Sequence, residues 1–132
     1  MFWQVREYVI TQSPQANELI WDNYNAVALA YSRSQQLKDA FCHIAIYSKH
    51  VNFGFNRGVE LTPNTLKLQG KGKLIRHITI TASLDELPSD ELTKYLREAQ
   101  VIAEVRNPKL AENSDAAQSI VMSISEKKNR PS

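Results

Sequence analysis

The chain has 132 residues, 42% of them hydrophobic and 23% charged, with a formal net charge of +2. Those proportions belong to a globular domain and exclude an intrinsically disordered chain. The small charge excess makes no bulk electrostatic case for nucleic acid, and no window approaches the roughly 20 apolar residues that span a bilayer.

Residues 1–7 lack the basic and then apolar stretches of a secretion signal, so a cytoplasmic chain without a membrane partner is expected. Residues 2–11 place Phe2, Val5, Tyr8 and Val9 at helical spacing. Ser13-Pro14 ends that helix, because the residue before a proline is driven out of helical geometry. Residues 18–22 are a short apolar piece read as extended, with Asp22-Asn23 as the turn into the next strand. Residues 25–32 alternate Val27, Leu29 and Tyr31 with Ala26, Ala28 and Ala30. After a polar loop, residues 41–48 set Cys42, Ile44 and Ile46 on an apolar face and Phe41, His43, Ala45 and Tyr47 on a mixed one. Cys42 is the only cysteine, which excludes an internal disulfide and a paired-cysteine zinc site; in its apolar run it reads as an inert, buried thiol. Lys49-His50 is a tight turn, and Val51, Phe53 and Phe55 then alternate with Asn52, Gly54 and Asn56 to complete an antiparallel hairpin.

Residues 58–72 read as a loop with one helical turn over 64–68, followed by a strand over 74–81 that alternates Arg76, Ile78 and Ile80 with His77 and Thr79. Ser83 with Glu86 three residues on, and again Pro88-Ser89, mark the start of a helix. Its stripe is Leu92, Leu96, Ala99, Ile102 and Ala103, and Asn107-Pro108 ends it. Ala117, Ile120, Val121 and Ile124 give one more helical face, and residues 126–132 form a charged, frayed end. The expected fold is α+β: a twisted, mainly antiparallel sheet of four to five strands with helices packed on one face. Residues 1–108 make the domain, and residues 109–132 make a C-terminal tail.

Two glycine loops hold the first candidate chemistry. Gly70-Lys71-Gly72-Lys73 begins like a phosphate cradle, but a P-loop needs Ser or Thr after its lysine and then a helix. Leu74 and a strand follow instead, which favours a hairpin turn with glycine at positive φ over a small anion nest. Asn56-Arg57-Gly58 ends a strand, and pairing with the next strand brings Arg57 toward Lys73 and Arg76, three cations suited to a carboxylate or phosphate. His43 and His77 lie mid-strand, either as hydrogen-bonded structural residues or, on one face near Tyr47, as a pair able to move protons or bind metal. His50 belongs to a turn and is solvated. Asp85, Glu86, Asp90 and Glu91 are the densest acidic group; they suit a helix N-terminus, or alternatively a weak iron site. No nucleophile stands beside a base, so covalent catalysis has no candidate.

Four segments, Asp39-Ala40-Phe41-Cys42-His43-Ile44-Ala45, Val51-Asn52-Phe53-Gly54-Phe55-Asn56-Arg57-Gly58, Leu68-Gln69-Gly70-Lys71-Gly72-Lys73 and Arg76-His77-Ile78, resemble the YdhG-like domains. These are a mostly bacterial family of unknown function, and the likeness runs from Leu19 to Ala103. It implies an α+β fold with a mainly antiparallel sheet. Some members are labelled frataxin-type intracellular iron chaperones, which makes iron the alternative cofactor. Frataxins present a long acidic helix, whereas Glu7 is the only acid in the first helix here. The polar motif residues, where the resemblance implies a ligand site, are Asn52, Arg57, Lys73, Arg76 and His77.

The expectation is a small binding domain that takes a small anionic ligand or a protein partner at a basic sheet edge. Arg57, Lys73 and Arg76 grip the anion, Asn52 or His77 orients it, and His43 and Tyr47 stand close by. The alternatives are an iron chaperone using Asp85, Glu86, Asp90 and Glu91, and an enzyme with His77 or His43 as general acid or base.

Overall fold

Helix α1 (Phe2–Gln12) buries Val5 and Val9, which stand one turn apart on a single stripe. Beyond its end the Ser13 N–H still donates to the Val9 carbonyl at 2.9 Å, and Pro14 prevents another turn. Strands β1 (Asn17–Asp22), β2 (Val27–Ser32), β3 (Ala40–Ile46), β4 (Val51–Phe55) and β5 (Arg76–Ile80) follow, then helix α2 (Ser89–Arg106) and strand β6 (Ser119–Ile124). The computed structural model describes residues 2–22, 26–112 and 115–124. The turn residue Asn23 and the charged end over 126–132 lie outside the described residues.

The chain is α+β, with a six-stranded mixed sheet in the order β5-β4-β3-β2-β1-β6. β1 through β5 form an antiparallel meander, and β6 returns to lie parallel to β1. The sheet therefore has one strand more than the four to five expected. The difference is β6, whose Ile120, Val121 and Ile124 fit a helical period but form a strand. Its β-branched residues and serines are weak helix formers, and the open edge of β1 offers backbone partners. The Glu18 N–H donates to the Gln118 carbonyl at 2.8 Å, and the Gln118 N–H donates to Asn17 Oδ1 at 3.0 Å, which fixes the entry into the strand.

Both helices cover one face of the sheet. Val5 and Val9 from α1 and Leu92, Tyr95, Leu96 and Ala99 from α2 share a core with Cys42, Ile44, Phe53, Phe55, Ile78 and Ile80. Tyr8 and Thr93 tie the two helices together through their hydroxyls, 2.6 Å apart. Burying side chains of this size stabilises by roughly 1.5–3 kcal/mol each before the entropic cost of ordering them. Cys42 is fully buried, and burial raises its thiol pKa well above the usual range, as an inert thiol requires. Phe41 departs from simple alternation. Ser32 pairs with Ala40 and Tyr31 with Cys42, so Phe41 is the extra residue of a bulge and joins the same core as Cys42.

The helical turn expected over 64–68 is absent. Asn64 instead accepts the Leu66 N–H on its side-chain oxygen at 2.8 Å, and the Tyr95 hydroxyl takes the Asn64 N–H and donates to the Leu66 carbonyl. Gly70 does adopt positive φ, at 138°, where the chain folds back so that Gln69 pairs with His77. Among the described residues no helix is long and apolar enough to cross a membrane.

Candidate functional site

The basic cluster expected at the sheet edge does not assemble. Arg76 and His77 are consecutive on β5 and so face opposite sides of the sheet. Arg76 is a brace for its own loop: its Nη1 donates to the Gly72 carbonyl at 2.8 Å and to the Ile75 carbonyl at 2.7 Å. Its stem fills the space left by Gly58, where a Cβ would come within 2.5 Å of the Arg76 Cβ. Arg57, just beyond β4, donates through Nε to the Glu60 carboxylate. Lys73 lies in the exposed loop, beside Gly72, where an added Cβ would meet nothing within 4 Å. Asn52 is on the helix-free face with His77, where its Oδ1 accepts from the Thr79 hydroxyl at 2.9 Å.

His43 and His77 do share that face, but β4 runs between them, with Gly54 paired to both. The His43 ring lies over Gly54 so closely that a Cβ there would sit 2.2 Å from Nε2. Nδ1 meets Asn56 Oδ1 at 2.9 Å, which places the proton on Nδ1. Burial lowers the His43 pKa from its ordinary 6.5, the Asn56 bond opposes the shift and His77 adds to it. His43 is therefore a neutral, packed residue, and no open acid–base pair forms. Tyr47 is spent elsewhere, stacked on His50 with ring centroids 4.7 Å apart.

The acidic group also disperses. Ser83 and Glu86 close a capping box around the turn Leu84–Glu86, with Glu86 accepting from the Ala82 and Ser83 N–H groups at 2.7 Å each. Asp90 and Glu91 stand in the first turn of α2. Among the described residues no group of three or more His, Cys, Asp or Glu side chains is arranged to hold a metal ion. The iron site expected at Asp85, Glu86, Asp90 and Glu91 is not formed.

Cations do gather, at a different place. Where the end of α2 meets the turn Leu37–Asp39 and the start of β3, a hollow of about 450 Å³ opens. Its apolar floor is Phe41, Ala99, Ile102 and Ala103, and around it stand Lys38, Arg57, Arg106 and Lys109. Arg57 is neutralised by Glu60, while Lys38, Arg106 and Lys109 take part in no ion pair among the described residues. The one acid in the wall among the described residues, Asp39, is 9% exposed and accepts from the Ser34 hydroxyl at 2.7 Å and the Asn107 amide at 3.2 Å. Asp39 thus fastens the turn to the end of the helix. The exposed end of α2 carries about half a negative charge, which the surplus of positive side chains outweighs.

Arg57 is the one expected ligand residue in this hollow. Arg76 lines a separate one of about 320 Å³, with Tyr95, Lys67 and Leu61. Lys38 on the one side and Arg106 and Lys109 on the other went unnoticed as a group because they belong to two segments that only the packing of α2 on β3 brings together. The visible signal was Arg106-Asn107-Pro108-Lys109, read as no more than the end of a helix. Comparison with family models, curated proteins and solved structures finds no match for this chain.

Proposed function

We propose that the chain is a binding domain for a small organic anion, held in the hollow at the C-terminal end of α2. One observation carries this: Lys38, Arg106 and Lys109, without acidic partners among the described residues, surround an apolar floor. Such a combination suits a carboxylate or phosphate attached to an apolar body, since the charged rim orients what the floor desolvates. The volume of about 450 Å³ is that of a small-molecule site. Kinship with the YdhG-like domains is part of this reading and rests on the sequence segments alone. The iron-chaperone activity of some of those domains is not carried over, because the four carboxylates do not converge.

Thermal unfolding with inorganic phosphate, an aryl carboxylate and an aryl phosphate tests the proposal. A ligand at about 100 times its Kd adds about 2.7 kcal/mol of stability, a shift on the order of 10 °C for a domain of this size. The aryl anions should raise Tm more than phosphate does, and Arg106→Ala and Lys109→Ala should each remove the shift. An uncharged aryl alcohol that works equally well, or no shift with any anion, would overturn the proposal.

A further inference from the structure

Arg76 braces its loop through Nη1 alone, which donates to the Gly72 and Ile75 carbonyls. Among the described residues, Nε and Nη2 have no hydrogen-bond partner and the guanidinium has no ion pair. That free side is the one with which Arg6 grips Glu18, Nε to Oε2 at 2.8 Å and Nη2 to Oε1 at 2.9 Å. Two parallel donors in this arrangement fit a carboxylate. The Arg76 fork is also fixed in advance, since Nη1 is tied to the loop and Cβ rests against Gly58. Little freedom is left to lose when a carboxylate binds.

Arg76 borders the hollow of about 320 Å³ beside Val59, Leu61, Leu68 and Tyr95, with Lys67 as the second cation in the wall. The apolar surface continues outside it. The Val59 N–H donates to the Leu74 carbonyl at 3.0 Å, which joins the two ends of the loop. Val59, Leu74 and Ile75 are 42%, 39% and 49% exposed. Lys67, Lys71 and Lys73 stand on the same stretch, without ion pairs among the described residues. Residues 61–84 contain no acid, and Glu60 just ahead of them is engaged with Arg57. Glu98 reaches the loop from α2 but accepts from the Thr62 N–H and hydroxyl. A small anion would fill the hollow and leave the outer apolar side chains and the lysines uncovered. An extended chain carrying acidic and apolar side chains would cover all of them.

We infer that residues 58–76 are a docking surface for an acidic, apolar segment of a partner protein. One carboxylate of that segment pairs with the Nε–Nη2 fork of Arg76, an apolar neighbour enters the hollow, and further acids meet the lysines. The surface shares no lining residue with the hollow at the end of α2, so the two sites can be tested apart.

Fluorescence anisotropy with the full chain and a capped, fluorescein-labelled peptide of alternating glutamate and leucine tests the docking. Saturable binding is expected below about 1 mM, and the same peptide with glutamine for glutamate should bind about tenfold more weakly or worse. Arg76→Lys keeps the charge but loses the fork, and should weaken binding about tenfold. Ile75→Asp should weaken it as much with the melting temperature unchanged, whereas Val105→Asp, on the exposed face of α2, should have no effect. No binding up to about 1 mM, or a glutamine peptide that binds equally well, overturns the inference. So does binding that neither Arg76→Lys nor Ile75→Asp alters, or binding lost in Arg106→Ala but kept in Arg76→Lys. Phosphatidylserine vesicles or oligothymidine that bind more tightly and displace the peptide would overturn it as well.

Discussion

At the scale of single residues, Gly54 and Gly58 do similar work with different tolerance. The three atoms nearest a Cβ at Gly54 all belong to the His43 ring, with Nε2 at 2.2 Å and Cε1 at 2.4 Å. A Cβ at Gly58 would meet the Arg76 Cβ at 2.5 Å and the Arg76 backbone nitrogen at 2.7 Å. Side chains can be removed and backbone cannot. Gly54→Ala should therefore cost about 1–3 kcal/mol by overpacking, and most of that should vanish in a His43→Ala background. Gly58→Ala should cost at least as much and not be rescued by truncating Arg76. Urea denaturation of the four single and two double variants decides the matter, since neighbours in contact give a non-zero coupling energy. A Gly54→Ala penalty undiminished by His43→Ala would show that the ring is not what the glycine accommodates.

At the scale of elements, much was legible and the exceptions have identifiable causes. α1, the β3–β4 hairpin and the stripe of α2 could be read because local periodicity and burial agree there. The capping box at Ser83 and Glu86 was visible too, but it caps the short turn Leu84–Glu86, and α2 starts afresh at Ser89 behind Pro88. Phe41 was assigned to the wrong face because a single bulge residue breaks the two-residue period. β6 was missed for another reason: a lone strand with no partner nearby in sequence has no local signature beyond its β-branched residues. What holds it is partly side-chain chemistry, since the Ser119 hydroxyl donates to Glu18 Oε1 at 3.0 Å. Ser119→Ala should cost about 1.5–3 kcal/mol, the magnitude of one hydrogen bond to a charged group. Amide exchange should quicken in β6 and its neighbour β1 far more than in β4. Uniform quickening across the sheet would mean that β6 does not open as a separate unit.

At the scale of the whole molecule, Glu18 joins four elements. Its carboxylate accepts two bonds from Arg6 of α1, at 2.8 and 2.9 Å, one from the Tyr31 hydroxyl of β2 at 2.7 Å and one from Ser119 of β6. Burial pushes the Glu18 pKa up, yet the bonds from Arg6, Tyr31 and Ser119 outweigh it, leaving the value below its ordinary 4.5. Glu86 is lowered as well, through the backbone N–H groups of Ser83 and Ala82. A carboxyl with a depressed folded pKa contributes stability that is complete above its unfolded value and is lost as pH falls through the folded one. Neutral, buried His43 acts in the same direction from its ordinary 6.5 downward, because the unfolded chain takes up that proton more readily. Urea midpoints should thus be level from pH 6.5 to about 8, short of the ordinary 9.0 of the Cys42 thiol, sag gently below pH 6.5, and drop more steeply below pH 4.5. In Glu18→Gln the protein should be less stable at neutral pH and the steep acid limb should flatten. An acid limb unchanged by that substitution would assign it to other carboxyls.

The same scale explains why the candidate site was hard to see. Sequence reading groups cations that are close along the chain, as Lys73 and Arg76 are, and strand alternation then separates Arg76 from His77. The hollow draws its charge from Lys38, Arg57 and the end of α2, segments that meet only in the assembled core.

The parallel return of β6 also bears on how the chain reaches its native state. Glu18 and Ser119 are 101 residues apart in sequence, so the innermost ionic cluster cannot close until a very large loop has closed. The antiparallel meander closes much smaller loops, the longest being residues 56–75 between β4 and β5, and can form first. For that interval Arg6, Glu18 and Tyr31 form a nucleus that lacks its last hydrogen bond, and the uncovered edge of β1 is the surface on which a refolding chain at high concentration is most apt to capture the wrong strand.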